Sequence, residues 1–274
     1  MIDSTYLAER IEPGHGFLIS HCRSCPAGHN SHGSMWCQVA SSNMTFQESE
    51  LIRNLESSEP PRTAVLMSGG LDSAILAGDL ARKGFRVHPI YVRFGLRWEQ
   101  VELSHARRFV ETLDHPLVDP ITVLDLPTGD SYGEHWSRSG PVPDENSPDE
   151  AVYLPGRNVL LVSKAAVWCA LHGIRTIHTG VLSGNPFPDA TDEFFAAMSH
   201  AISIGLAWKI EVVRPYANLK KIDVIRIGRN MPLDQTFSCL SPIREGPCGR
   251  CNKCEERRKA FREAGIEDHT AYAY

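Results

Sequence analysis

Ala64-Val65-Leu66-Met67-Ser68-Gly69-Gly70-Leu71-Asp72-Ser73 is the stretch whose reading decides the fold. Ala64 to Met67 is a short apolar run of the kind that forms a buried strand. Ser68, Gly69 and Gly70 then let the backbone turn tightly and approach a ligand closely. Asp72 and Ser73 open a helical pattern continued by Ile75, Leu76 and Leu80. A helix N-terminus offers unpaired N–H groups and a partial positive charge, so such a turn is suited to phosphate. A Walker A loop is excluded, because the lysine it requires is missing. The dinucleotide fingerprint is excluded too, because its spaced glycines are replaced by an adjacent pair.

Outward from this turn, strand and helix patterns alternate. Strands are expected at Thr63–Met67, Arg86–Phe94, Ile121–Leu124, Thr176–Val181 and Glu211–Arg214. Helices are expected at Leu71–Lys83, Gln100–Leu113, Val159–His172, Asp192–Ile204, Lys221–Arg229 and Glu255–Ala264. This alternation implies an α/β fold, a doubly wound parallel sheet covered on both faces. The ligand is then expected at the carboxyl ends of the strands, where Ser68–Ser73 lies. Residues 127–152, rich in Pro, Gly, Ser and Asp, read as a long functional or mobile loop.

The chain has 274 residues, 42% hydrophobic and 22% charged, the profile of a globular protein. No apolar run is long enough to span a membrane, and Met1–Arg10 lacks a signal-peptide core, so the expectation is a cytoplasmic protein. A net charge of −5 argues against a broad nucleic-acid-binding face. Residues 1–60 differ from the rest and read as an N-terminal extension, poorly ordered or non-native. Met44, a short distance ahead of the loop, is a candidate start, with N-terminal sequencing as the test. Cys22, Cys25, His29, His32 and Cys37 are spaced too loosely to favour a metal site.

Cys239, Cys248, Cys251 and Cys254 are different. Gly246, Pro247 and Gly249 favour tight turns between them, and four thiolates so placed can close a tetrahedral Zn²⁺ site with no position left for substrate. The same ligands would serve an iron–sulfur cluster. Residues 61–235 therefore read as a nucleotide-binding domain and 236–274 as a zinc-binding segment.

The Ser-Gly-Gly-Leu-Asp-Ser string resembles the pyrophosphate loop of the N-type ATP pyrophosphatases, whose fold is that of the adenine nucleotide alpha hydrolases, a Rossmann-like sheet. With the four cysteines, it resembles the 7-cyano-7-deazaguanine synthase family. Pro155-Gly156-Arg157-Asn158, Thr179-Gly180-Val181, Phe187-Pro188-Asp189, Lys221-Ile222-Asp223-Val224-Ile225, Glu102-Leu103 with Ala106, and Ala264-Gly265-Ile266 with Asp268 are similar to family segments. The resemblance implies an ATP-dependent conversion of 7-carboxy-7-deazaguanine and ammonia to the nitrile through an acyl-adenylate. It implies ATP, Mg²⁺ and Zn²⁺, free ammonia, and a homodimer.

On this reading Leu66, Ser68, Gly69, Gly70, Leu71, Asp72 and Ser73 hold the nucleotide, with Asp72 a Mg²⁺ ligand or helix cap. Asp72, Ser73, Arg157 and Lys221 form the catalytic set, the last two offsetting anionic charge. Asn158 and Asp189 are candidates for the purine-like ring, and Cys239, Cys248, Cys251 and Cys254 for the metal. The chain departs from the family pattern at Arg93, Leu96, Trp98, Ala190 and Thr191, with Trp98 in place of a histidine. These departures leave open a paralogue that amidates another carboxylate. A tRNA-modifying ATP pyrophosphatase and a non-catalytic nucleotide-binding module are the remaining alternatives.

Overall fold

The computed structural model describes residues 59–274. Met44 and the cysteines and histidines between Cys22 and Cys37 lie outside the described residues. Five strands, β1 (Arg62–Leu66), β2 (Arg86–Arg93), β3 (Thr122–Asp125), β4 (Thr176–His178) and β5 (Glu211–Val213), form one sheet in the order β3-β2-β1-β4-β5. Every pairing is parallel. Among the described residues seven α-helices accompany the sheet: α1 (Leu71–Arg82), α2 (Glu99–Leu113), α3 (Gly129–Tyr132), α4 (Arg157–Leu171), α5 (Asp192–Leu206), α6 (Lys221–Ile227) and α7 (Asn252–Ala264). This is the doubly wound α/β architecture expected from the sequence.

β1 runs through the centre, and its side chains alternate between two cores. Val65 joins Ile75, Ala106, Phe109, Val224, Phe261 and their neighbours, a cluster drawn from α1, α2, α6 and α7. Ala64 joins Val162, Ala165, Ile177, Phe195 and Val212 on the side of α4 and α5. A strand covered on both faces needs apolar residues at every position, which is why Ala64–Met67 reads as an unbroken run.

The order of the sheet reverses between β1 and β4, the place where parallel α/β sheets open a crevice at their carboxyl ends. β4 ends at His178, three residues before the limit expected from hydrophobicity. The cause is Gly180. A Cβ there would stand 2.9 Å from the Ser73 amide nitrogen and 3.0 Å from the Asp72 carbonyl carbon, so the chain must leave the sheet to pass over the start of α1.

Residues 127–152 contain α3 and a 3₁₀ turn at Asp149–Val152, and Tyr132 and Trp136 pack into a third apolar cluster with Phe94, Trp98, Phe237 and Cys239. α7 begins at Asn252, earlier than its sequence pattern suggests, because Cys251 supplies the N-cap position. Ala260, Phe261 and Ala264 of α7 belong to the same core as α1. Among the described residues no helix is long and apolar enough to cross a membrane.

Two glycines give opposite expectations. Gly228 ends α6, and a Cβ there would lie 2.5 Å from Ile75 Cγ1, while Gly205 in α5 has nothing within 4 Å. Gly228→Ala should cost about 1–3 kcal/mol by overpacking. Gly205→Ala should stabilise by roughly 0.5–1 kcal/mol through helix propensity. Urea denaturation of both variants checks the pair.

Candidate active site and four-cysteine centre

The turn after β1 is built around serine and glycine. The Ser68 amide donates to Ser73 Oγ at 3.1 Å, and the two serine hydroxyls lie 3.2 Å apart. Gly69 has φ +75, and a Cβ there would stand 2.8 Å from the Glu102 carbonyl oxygen. Both constraints demand glycine. Gly70 takes the N-cap position of α1 with no side chain capping it, which leaves the first-turn amides free for an anion. The Phe237 amide donates to the Gly69 carbonyl at 2.8 Å, tying the segment before the cysteines to the turn.

Two connected chambers open from this turn. The inner one, about 160 Å³, is lined by Leu66, Ile90, Val92, Leu96 and Leu161, with Tyr91, Glu102, Arg157 and Asn158 supplying polarity. The outer one, about 400 Å³, takes in Lys221, Lys253, Glu256, Trp98, Trp136 and Phe187. Ser68, Asp72, Glu102, Arg157, Gly180 and Val181 line both. The volume of the outer chamber falls within the range of small-molecule sites, and its place at the reversal of strand order is where α/β sheets bind ligands.

Asp72 does not cap α1. Its Oδ2 accepts from Lys221 Nζ at 2.5 Å, while Oδ1 is buried and has no hydrogen-bond partner among the described residues. An orphaned carboxylate oxygen beside a phosphate-type turn suits a cation. Lys221 also reaches Glu256 Oε1 at 3.4 Å, and Glu256 Oε2 accepts from Lys253 Nζ at 2.6 Å. Burial pushes the Asp72 carboxyl up, and Lys221 pulls against it. Burial likewise opposes charge on Lys221 and Glu256, yet their ion pairs prevail. Lys221 is held above the ordinary lysine value, and Glu256 is drawn down to about 2. Glu256 and Lys253 carried no sequence signal, since their role depends on where α7 docks.

Arg157 opens α4 and faces both chambers, with Nε buried and without a hydrogen-bond partner among the described residues. Asn158 lines the inner chamber, but its side-chain amide donates to the Asp189 carbonyl at 2.8 Å. Asp189, 6% exposed, lines neither of these chambers, and its Oδ2 accepts from the Asn158 amide at 3.0 Å. That carboxylate satisfies the first turn of α4. Among the departing positions, Leu96 lines the inner chamber and Trp98 the outer one. Arg93 pairs with Asp125 and Glu99, Ala190 is buried, and Thr191 caps α5 by accepting from the Phe194 amide.

Glu102 was missed as a site residue, although an acidic group on the apolar face of α2 was a signal. It is 9% exposed and accepts from the Tyr91 hydroxyl at 2.6 Å. Burial pushes its carboxyl up to about 7, with Arg157 and Tyr91 opposing. A carboxyl raised in the folded state stabilises the protein below its unfolded value of 4.5, and that stability is lost as pH rises through about 7. Glu102→Gln should therefore flatten the dependence of unfolding free energy on pH between those limits, by up to ~3 kcal/mol.

Cys239, Cys248, Cys251 and Cys254 are all buried, and their Sγ atoms lie within 4.8 Å of one another. The Sγ separations of 4.0 Å (Cys248–Cys254), 3.9 Å (Cys239–Cys251) and 3.5 Å (Cys251–Cys254) match the ~3.8 Å edge of a tetrahedron of thiolates around one ion. The amides of Ser241, Cys248, Gly249 and Arg250 donate to sulfur at 3.3 Å, which favours the thiolate form. The donor set thus fits a metal. Because Cys251 and Cys254 begin α7, the centre also aims Lys253 and Glu256 into the outer chamber. Stripping metal with a chelator should lower Tm and weaken nucleotide binding together, measured by scanning calorimetry and titration.

Comparison with known proteins gives one consistent result. The family model described as "Queuosine biosynthesis protein QueC" matches residues 62–265. A 7-cyano-7-deazaguanine synthase of Solidesulfovibrio magneticus is 32% identical over 230 residues, covering 78% of this chain and 96% of its own. The enzyme of that name from Caldicellulosiruptor saccharolyticus is 31% identical over 220 residues, covering 77% and 95%. That of Methanothermobacter thermautotrophicus is 30% identical over 227 residues, covering 77% and 99%.

Proposed function

Because the chain belongs to the family of the queuosine biosynthesis protein QueC, we propose that it uses ATP to convert 7-carboxy-7-deazaguanine and ammonia to 7-cyano-7-deazaguanine. The observation that carries this reading is the uncapped start of α1 beside Ser68–Ser73, with the orphaned Asp72 Oδ1 at its side.

The substrate carboxylate attacks the α-phosphorus of ATP. A new oxygen–phosphorus bond forms, the bond to the β-phosphate oxygen breaks, and pyrophosphate leaves. The turn amides and the hydroxyls of Ser68 and Ser73 receive the phosphate oxygens, in a site whose donors are fixed before the nucleotide arrives. Arg157, facing both chambers, meets charge developing at the junction. Lys221 is kept cationic by Asp72 and Glu256, and it is placed to neutralise the departing pyrophosphate. Asp72 would hold Mg²⁺, which supplies further neutralisation of the triphosphate. Ammonia then displaces AMP to give the amide. The amide oxygen then attacks the α-phosphorus of a second ATP with loss of pyrophosphate, and the carbon–oxygen bond breaks with AMP as leaving group while the nitrogen gives up its two protons and the nitrile forms.

The four cysteines would hold Zn²⁺ in a structural role, since their closed set leaves no coordination position for substrate. We take Leu66 and Leu71 to flank the nucleotide. Asn158 is kept as a contact of the inner chamber, and Asp189 as its support through α4. The changed positions Leu96 and Trp98 support a second reading, a related carboxylate as substrate, because both face the chambers.

The test is pyrophosphate and AMP release with 7-carboxy-7-deazaguanine, with its amide, and with related acids, each with and without ammonia. AMP and nitrile from the deazaguanine acid are expected. Turnover confined to another acid would transfer the reading to that acid. Asp72→Ala should lower kcat on the order of 10²–10³-fold with the fold retained by circular dichroism.

A further inference from the structure

The outer chamber carries an aromatic wall that the phosphate chemistry does not use. Trp98, preceding α2, and Trp136, from the segment after α3, stack with ring centroids 5.8 Å apart and planes 20° from parallel. Both line the chamber. Trp98 is 5% exposed and sits in the cluster of Phe94, Leu96, Val152, Leu154 and Phe237, so its ring is fixed. Trp136 is half-buried and is tilted against His135 at 5.4 Å. Phe187 adds a further ring to the lining, and Asp149, tethered to Asn252 Nδ2 at 3.4 Å, adds an exposed carboxylate. The cations Lys253 and Arg157 complete it.

These groups describe a ligand: a flat heteroaromatic ring to stack, a row of N–H donors for a carboxylate, and an anionic substituent for the cations. The inner chamber is smaller and mixes apolar walls at Leu66, Ile90, Val92 and Leu161 with polar groups at Tyr91, Glu102 and Asn158, and it suits a nucleotide base whose phosphates lie on Ser68–Ser73. Arg157 and Glu102 line both chambers, so an acid held in the outer chamber lies next to the junction where the α-phosphate of such a nucleotide would stand. We propose that the acid substrate binds in the outer chamber with its ring against Trp136, that Trp98 is the positioning residue holding Trp136, and that Asp149 accepts from the donor-rich edge of the ring. This rests on the function proposed above. It also gives the histidine-to-tryptophan change at Trp98 a purpose, a second ring backing the first.

Tryptophan fluorescence titrations with 7-carboxy-7-deazaguanine, without ATP, are paired with steady-state kinetics of Trp136→Ala, Trp136→Phe, Trp98→Ala and Asp149→Asn. The expected result is quenching by the acid in the unaltered protein. KM for the acid should rise about tenfold in Trp136→Ala, Trp98→Ala and Asp149→Asn while KM for ATP changes less than about twofold, and Trp136→Phe should restore most of the loss. A rise in KM for ATP with that for the acid unchanged would overturn the assignment, as would absence of quenching. Quenching without AMP formation would uphold the ring site and defeat the proposed reaction, so the two fail separately. Trp136 is half-buried, so its variants remain informative where Trp98→Ala fails to fold.

Discussion

The start of α1 is approached by main chain from three directions, and the rest of the structure follows from that crowding. Glu102 of α2 lies against Gly69, Gly180 passes over Ser73 and Asp72, and Phe237 bonds the Gly69 carbonyl. Only residues without a Cβ permit the first two approaches. The crowding aims a set of amides at one point, and it forces β4 to end early so that its continuation becomes a wall of the site.

Charge is organised around the same point. Asp72, Lys221, Glu256 and Lys253 alternate in sign across three helices. Lys221 and Glu256 each have two partners, so removing Lys221 or Glu256 takes a counter-charge from a half-buried neighbour, whereas removing Asp72 or Lys253 leaves the Lys221–Glu256 pair in place. Lys221 is thus held in place by two carboxylates, and under the proposed function it would need little reorganisation when phosphate arrives. The four-cysteine centre takes part at a distance, because it fixes the helix that presents two of these charges.

The turn, the alternation of strands and helices, and the cysteine cluster were legible because each is a local pattern: an apolar run, a glycine pair, a repeated spacing. The bounds of β1, α1 and α5 agree with the sequence to within a few residues for that reason. What could not be read was whatever depends on docking. Asp189 looked like a ligand contact, yet its carboxylate is engaged by the backbone of α4. Glu256 carries nothing in the sequence to set it apart from the other acids of α7, yet it is drawn into an ion pair with Lys221. Trp136 stood in a stretch that reads as loop, and only the packing of that stretch on Trp98 brings its ring to the chamber. Glu102 lies between these cases. Its place on an apolar helix face was visible, whereas its partner Tyr91 belongs to a different strand.

The Gly69–Phe237 hydrogen bond carries a consequence for biogenesis. It joins the first strand–turn–helix unit to residues made long after it, so the cleft cannot be assembled piecemeal as the chain emerges from the ribosome. Until that late segment arrives, this tie on the glycine turn is not made, and the wall that Phe237, Lys253 and Glu256 give the outer chamber is missing.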